Sequence, residues 1–208
     1  MKFDNLYKKY TNPRIVLVGG IHGDEPAGNI AAKKFEGIEG VDIICNVNTT
    51  GHRRLEGVDP NRHFDEKDSL PVEDKILTKI EQINPSLVIA MHEDDTTDEV
   101  YAYSSPDMKK TLQKILADLN VKLAKSAIGD KTERGVITHG HLPTKGTLER
   151  ALRKRGIPSC TIETPIRPHD IETRVNLQIE IVKNLLLHFG IKSDKVEPSW
   201  ITMKTDTD

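Results

Sequence analysis

Four short segments of the chain concentrate side chains able to do chemistry: GGIHGDEPAG at 19–28, DPNRHFD at 59–65, MHED at 91–94 and TIETP at 161–165. His22 and Glu25 stand three residues apart in a glycine-flanked turn, a spacing that lets an imidazole and a carboxylate reach one metal ion. His92 supplies a third ligand if the fold brings it near. Two histidines, one carboxylate and an open fourth position make a catalytic zinc site, in which the ion polarises a carbonyl and lowers the pKa of bound water to about 7. Hydrolysis is the reaction such a site suits, with Glu163 as the general base that takes a proton from that water. Each residue also has a plainer explanation. His-x-x-Glu alone is a weak motif, the acidic run after His92 reads as a solvated loop, and Glu163 could be a charge paired with an arginine.

The stretch 49–70 adds Arg53, Arg54, Asn61 and Arg62, and guanidinium forks match carboxylates in a bidentate fashion. For Arg53 the expected fate is a surface ion pair with Glu56, Asp59 or Asp65. Asp59 has a second option, accepting a hydrogen bond from a metal-bound imidazole and so fixing its orientation.

These segments fall at the ends of apolar runs. RIVLVGG (14–20), VDIICNVN (41–48), SLVIAMH (86–92) and PSCTIET (158–164) read as strands, and 100–104 reads as a further one. Helices are expected from Pro26, from Pro71 with Val72, Ile76, Ile80 and Ile83 on one face, and from Pro106 with Met108, Leu112, Ile115, Leu119 and Leu123 at helical spacing. TLERALRKR and a long segment at about 169–189, ended by Gly190, complete the set. The stretch 49–70 carries no periodicity, and a loop that long in a small domain usually has a job, while 128–146 is glycine-rich and irregular. Alternating strands and helices predict an α/β fold, a three-layer α/β/α sandwich on a mixed, largely parallel sheet. In such sheets ligands bind beyond the carboxyl ends of the strands, where all four segments would lie.

Composition narrows the function. With 208 residues, 30 Lys plus Arg and 32 Asp plus Glu, the chain makes one domain of formal charge −2, without the basic excess that nucleic acid demands. No apolar run approaches a membrane span, and residues 1–10 lack the pattern of a secretory signal, so the expectation is no membrane, no nucleic acid and a cytoplasmic address. Cys45 and Cys160 sit in strand-like runs and are expected to be reduced. A single catalytic domain is expected over 1–192, with 193–208 as a loosely held tail in which Trp200 is the one residue suited to docking. Oligomeric state is open.

The four segments, in this order, resemble the zinc carboxypeptidase superfamily, and within it the succinylglutamate desuccinylase and aspartoacylase branch. The resemblance spans roughly residues 14–189. It implies a carboxypeptidase-like sandwich, one Zn2+ per chain held by His22, Glu25 and His92, and Glu163 as general base. Arg54, seven residues before Asn61, matches the arginine that polarises the scissile carbonyl, and Asn61 and Arg62 match the pair that grips a substrate carboxylate. Implied function is a zinc-dependent deacylase acting on an N-acyl amino acid or similar small amide with a free carboxylate, through zinc-bound water activated by Glu163. The alternative is a metallocarboxypeptidase removing C-terminal residues from peptides. Departures from the pattern are the short C-terminal region after Phe189, where the branch has a β-rich domain, and a loop with His139 and His141 where carboxypeptidases place a tyrosine. Arg153, ten residues before Glu163, lies where the branch has a substrate-carboxylate arginine, although helix surface is the plainer expectation. Two other classes compete. A nucleotide-binding module is disfavoured because Asp24 and Glu25 would repel phosphate in the glycine-rich turn. A metal-binding protein without catalysis is disfavoured by the arginines and Glu163 beside the ligands.

Overall fold

The β-branched and aliphatic runs form the centre of a six-stranded sheet. In a computed structural model that describes residues 11–119, 121–127, 130–138 and 144–197, β1 (Ile15–Gly19), β2 (Val41–Ile44), β3 (Leu87–Asp94), β4 (Tyr101–Ser104), the short hairpin β5 (Ser126–Ala127) and β6 (Asp130–Lys131), β7 (Val136–Ile137) and β8 (Ser159–Pro165) alternate with helices. The helices are α1 (Pro26–Lys33), α2 (Pro71–Ile83), α3 (Lys109–Asp118), α4 (Leu148–Lys154) and α5 (Ile171–His188). Sheet order is β2-β1-β3-β8-β4-β7. The first four strands run parallel, β4 turns antiparallel against β8, and β7 runs parallel to β4. The expected mixed, largely parallel α/β sandwich is the fold observed.

Side chains alternate across the sheet, and each face acquires its own helices. Ile15, Leu17, Leu87, Ile89, Met91, Cys160 and Ile162 pack with α1, α3 and α5. Val16, Val18, Val88 and Ala90 pack with α2 and α4 on the other side, together with Phe64. β3 is buried along its whole length, as a central parallel strand should be. It also runs two residues further than the apolar run suggests, so Glu93 and Asp94 belong to the strand and are buried rather than solvated.

Register places the chemistry. Gly19 pairs with Met91 at the carboxyl ends of β1 and β3, while His92 pairs with Glu163 across β3 and β8, and Glu163 pairs with Tyr101 on the other side. α1 approaches this edge closely. A Cβ on Gly28 would stand 2.3 Å from the Met91 carbonyl oxygen, so only glycine lets the helix seat there. After α5, Gly190 takes φ 78 and ends the helix as expected. Ser193 and Val196, in the segment read as a tail, are buried, Val196 against the α1/α3/α5 cluster. His139, His141 and Trp200 lie outside the described residues.

Candidate metal centre

His22 and Glu25 sit in the connection from β1 to α1, with Glu25 as the residue just before Pro26 at the helix start. That connection is tied down by the following loop: Asn48 N–H donates to the Gly20 carbonyl at 2.8 Å, Gly23 N–H donates to the His52 carbonyl at 3.0 Å, and the Asn48 side-chain amide also donates to His52. His92 comes in from β3. The result is a cluster in which one ligand atom from each of His22, Glu25 and His92 lies within 4.8 Å of the others, all three residues buried.

The ring nitrogens are arranged for a cation. His22 Nε2 lies 3.0 Å from Asp59 Oδ1, and a carboxylate can only accept, so Nε2 carries the hydrogen and Nδ1 of a neutral ring keeps its lone pair. That Nδ1 lies 2.7 Å from Glu25 Oε1, while His92 Nδ1 lies 2.8 Å from Glu25 Oε2. Two imidazole Nδ1 atoms thus converge on the two oxygens of one buried carboxylate, a donor set that needs a proton or a metal ion between acceptors. His92 Nε2 is buried with no hydrogen-bond partner among the described residues. The residues fit a divalent ion such as zinc, and Asp59 is the carboxylate behind the imidazole.

Protonation follows the same geometry. Burial works against a charged His22, but the hydrogen bonds to Asp59 and Glu25 and the charge of Glu25 outweigh it, pushing the pKa up to about 9. Burial likewise disfavours charge on Glu25 and Asp59. The two histidines nevertheless hold Glu25 well below the carboxylate range, and the His22 hydrogen bond takes Asp59 down to about 2. Glu163 moves the opposite way. Its burial, reinforced by the facing carboxylates of Glu25, Asp94 and Glu149, raises its pKa well above the ordinary value, while the Arg53 charge opposes this. The direction of that shift is the one that favours a carboxyl group holding a proton, as a group that takes and passes one must.

A cavity of about 660 Å³ opens over the cluster, lined by His22, Glu25, His92, Glu163, Arg53, Asn61, Arg62, Tyr101, Tyr103, Glu149 and Arg153. Its volume suits a small-molecule ligand. Phe64, by contrast, is core.

Comparison with known proteins bears on the fold. No protein-family model matches the chain, and no curated protein matches it. Among solved structures, a "putative metallopeptidase" from Shewanella denitrificans superposes with a TM-score of 0.68 at 26% identity, over 85% of this chain and 73% of its own. Another "putative metallopeptidase", from Shewanella amazonensis, gives 0.70 at 21% identity over 86% and 78%. A metallo-carboxypeptidase from Burkholderia cenocepacia gives 0.65 at 12% identity over 88% and 58%. The fold is carboxypeptidase-like.

Within this carboxypeptidase-like fold the sequence-derived residues divide. His22, Glu25, His92, Glu163, Asn61 and Arg62 all reach the one cavity. Asn61 is held there because its Oδ1 accepts from the Leu148 N–H at the start of α4, at 2.9 Å. Arg62 donates to the Asn61 carbonyl at 2.6 Å. Arg54 is not brought in. The turn through Glu56 and Gly57, both at positive φ, folds the loop back, and the exposed Arg54 donates to the Gly57 carbonyl at 3.1 Å. Arg53 takes the inward position instead, donating to Glu25 Oε1 at 2.9 Å, with Asp59 within 3.8 Å. Arg153 is half-buried on the cavity wall rather than on the outer helix surface.

Glu93, Arg174 and Gln178 also pack against this cluster, and the sequence reading did not single them out. They lie immediately behind the ligands. A signal existed: Arg174 and Gln178 interleave with the apolar stripe Val175, Ile179 and Val182 on α5, where a surface helix would be expected to turn its polar residues outward. Among the described residues no helix is long and apolar enough to cross a membrane.

Proposed function

We propose that the chain is a zinc-dependent amide hydrolase, a deacylase that acts on an N-acyl amino acid or a similar small amide bearing a free carboxylate. The observation that carries this is the convergence of His22, Glu25 and His92 on one point of a cavity whose wall also holds Glu163 and three arginines. The likeness to metallopeptidase structures supports a metal-dependent hydrolase.

Zinc held by His22, Glu25 and His92 would supply Lewis acidity to the carbonyl and acidify a water molecule. Glu163 takes a proton from the attacking water as its oxygen bonds to the carbonyl carbon. It then passes that proton to the amine nitrogen as the C–N bond breaks, leaving a carboxylate and a free amine. A cation at the carbonyl oxygen offsets the charge that develops there. The resemblance assigns that task to Arg54, whereas Arg53 is the guanidinium lying on the cavity side. Asn61, with its carbonyl oxygen already engaged by Leu148, offers its amide N–H donors, and Arg62 and Arg153 offer guanidinium donors, to the substrate carboxylate. Such a ligand set would tie the chain to the desuccinylase and aspartoacylase branch.

The test is a hydrolysis screen of zinc-loaded protein against N-acyl amino acids and against peptides with free or amidated C-termini. Release of free amino acids from N-acyl substrates, abolished in Glu163→Gln with zinc still bound, is the expected outcome. Turnover confined to peptides with a free C-terminus would make it a carboxypeptidase. A zinc-loaded protein that hydrolyses neither class would overturn the proposal.

A further inference from the structure

Glu93 follows a metal ligand yet points to the opposite face of the sheet, as strand alternation requires. There it is fully enclosed. One oxygen accepts the backbone N–H of Ala27 in the first turn of α1, at 2.8 Å, and the other accepts Arg174 Nη1 from α5, at 2.5 Å. The Glu93 N–H itself donates to Glu25 Oε2 at 3.2 Å. One turn along α5, Gln178 donates to the His92 carbonyl at 2.9 Å and to Thr164 Oγ1 at 2.8 Å. A single connected set of hydrogen bonds thus joins α5, the end of β3, the start of α1 and two of the three ligand residues.

We infer that the Glu93–Arg174 pair, with Gln178, positions the metal ligands: it locks the start of α1, and therefore Glu25, against the end of β3, and therefore His92. Glu25 has no freedom of its own here, because it immediately precedes Pro26 and its carboxylate must meet both imidazoles. Whatever fixes the Ala27 amide fixes Glu25. Charge supports the assignment. Arg174 meets Glu93 in an enclosed ion pair, so a second buried carboxylate is engaged by a guanidinium and the Ala27 amide behind the site. Arg174 and Gln178 do not line the cavity, and they reach the candidate ligands through Glu93, the His92 carbonyl and Thr164.

The inference rests on the zinc site proposed above, so its test reads zinc affinity rather than turnover. Dissociation constants from chelator competition would be measured for wild type, Arg174→Met, Arg174→Lys, Glu93→Gln and Leu116→Ala. The last removes a buried α3 side chain that does not line the cavity and reports what general destabilisation does. Supporting structure of this kind is ordinarily worth 10- to 100-fold in metal affinity. Arg174→Met and Glu93→Gln are expected to weaken zinc binding at least about tenfold, Arg174→Lys to recover most of the loss, and Leu116→Ala to bind as wild type despite a lowered melting temperature. Should Arg174→Met fail to fold, Glu93→Gln carries the comparison. Wild-type affinity in Arg174→Met or Glu93→Gln, or an equal loss in Leu116→Ala, would overturn the positioning role while leaving the zinc site standing. A wild type that binds no zinc would overturn both.

Discussion

In the proposed site, zinc and a proton would compete for His22. With its pKa pushed up to about 9, His22 is about nine-tenths protonated at pH 8, against about 3% for an ordinary histidine of pKa 6.5. Metal binding requires the neutral ring, so zinc uptake at pH 8 should expel about 0.9 proton from this residue, and affinity should rise about tenfold per pH unit between 7 and 8.5. Asp59 sets part of that value through the 3.0 Å contact with Nε2. A hydrogen bond to a charged group is worth about 2 kcal/mol, or about 1.5 pKa units. Asp59→Asn should then bring His22 to about 7.5 and cut its proton release at pH 8 to about 0.2. Isothermal calorimetry of zinc binding in two buffers of different ionisation enthalpy measures the release, and the difference between wild type and variant removes contributions common to both. Equal proton release in the two proteins would refute the assignment of Asp59 as the partner that charges His22.

Three further outcomes follow from contacts elsewhere. Gly28→Ala gains at most about 1 kcal/mol of helix propensity but drives a Cβ into the Met91 backbone oxygen, so a net loss of at least about 1–3 kcal/mol in urea unfolding and weaker zinc binding are expected. Glu73, buried in α2 and accepting the Leu70 N–H, is pushed up to about 7 by burial. A carboxyl group with a raised folded pKa binds its proton more tightly when folded, so it costs stability as pH rises from 4.5 to 7. Glu73→Gln should therefore stabilise the protein at pH 8, by at most about 3 kcal/mol, and change little at pH 4, as thermal melts at the two pH values would show. Arg53→Ala should lower kcat/KM at least about tenfold more than Arg54→Ala, because only Arg53 reaches the cavity. The reverse order would give the carbonyl to Arg54, as the resemblance has it.

Much of this was legible in the chain because apolar periodicity and prolines are local signals. PVEDKILTKIEQI carries its own start, face and end, and α2 forms over those residues. The candidate ligands were legible because they stand at the ends of apolar runs that read as strands. Long-range register and loop direction were not. Nothing local distinguishes Arg53 from Arg54; the turn at Glu56 and Gly57 decides which points inward. HEDD looks solvated by composition, but Glu93 is buried because Arg174, about 80 residues later, neutralises it. Arg153 reads as helix surface until the placement of α4 beside β8 turns it to the cavity.

The most direct measurement is metal content by elemental analysis of purified wild type and His22→Ala side by side, each after reconstitution with zinc. About one zinc per chain is expected in the wild type and its loss in the variant, since His22 would supply one of three ligands at a single site. No metal in the wild type, or an undiminished zinc content in His22→Ala, would contradict it.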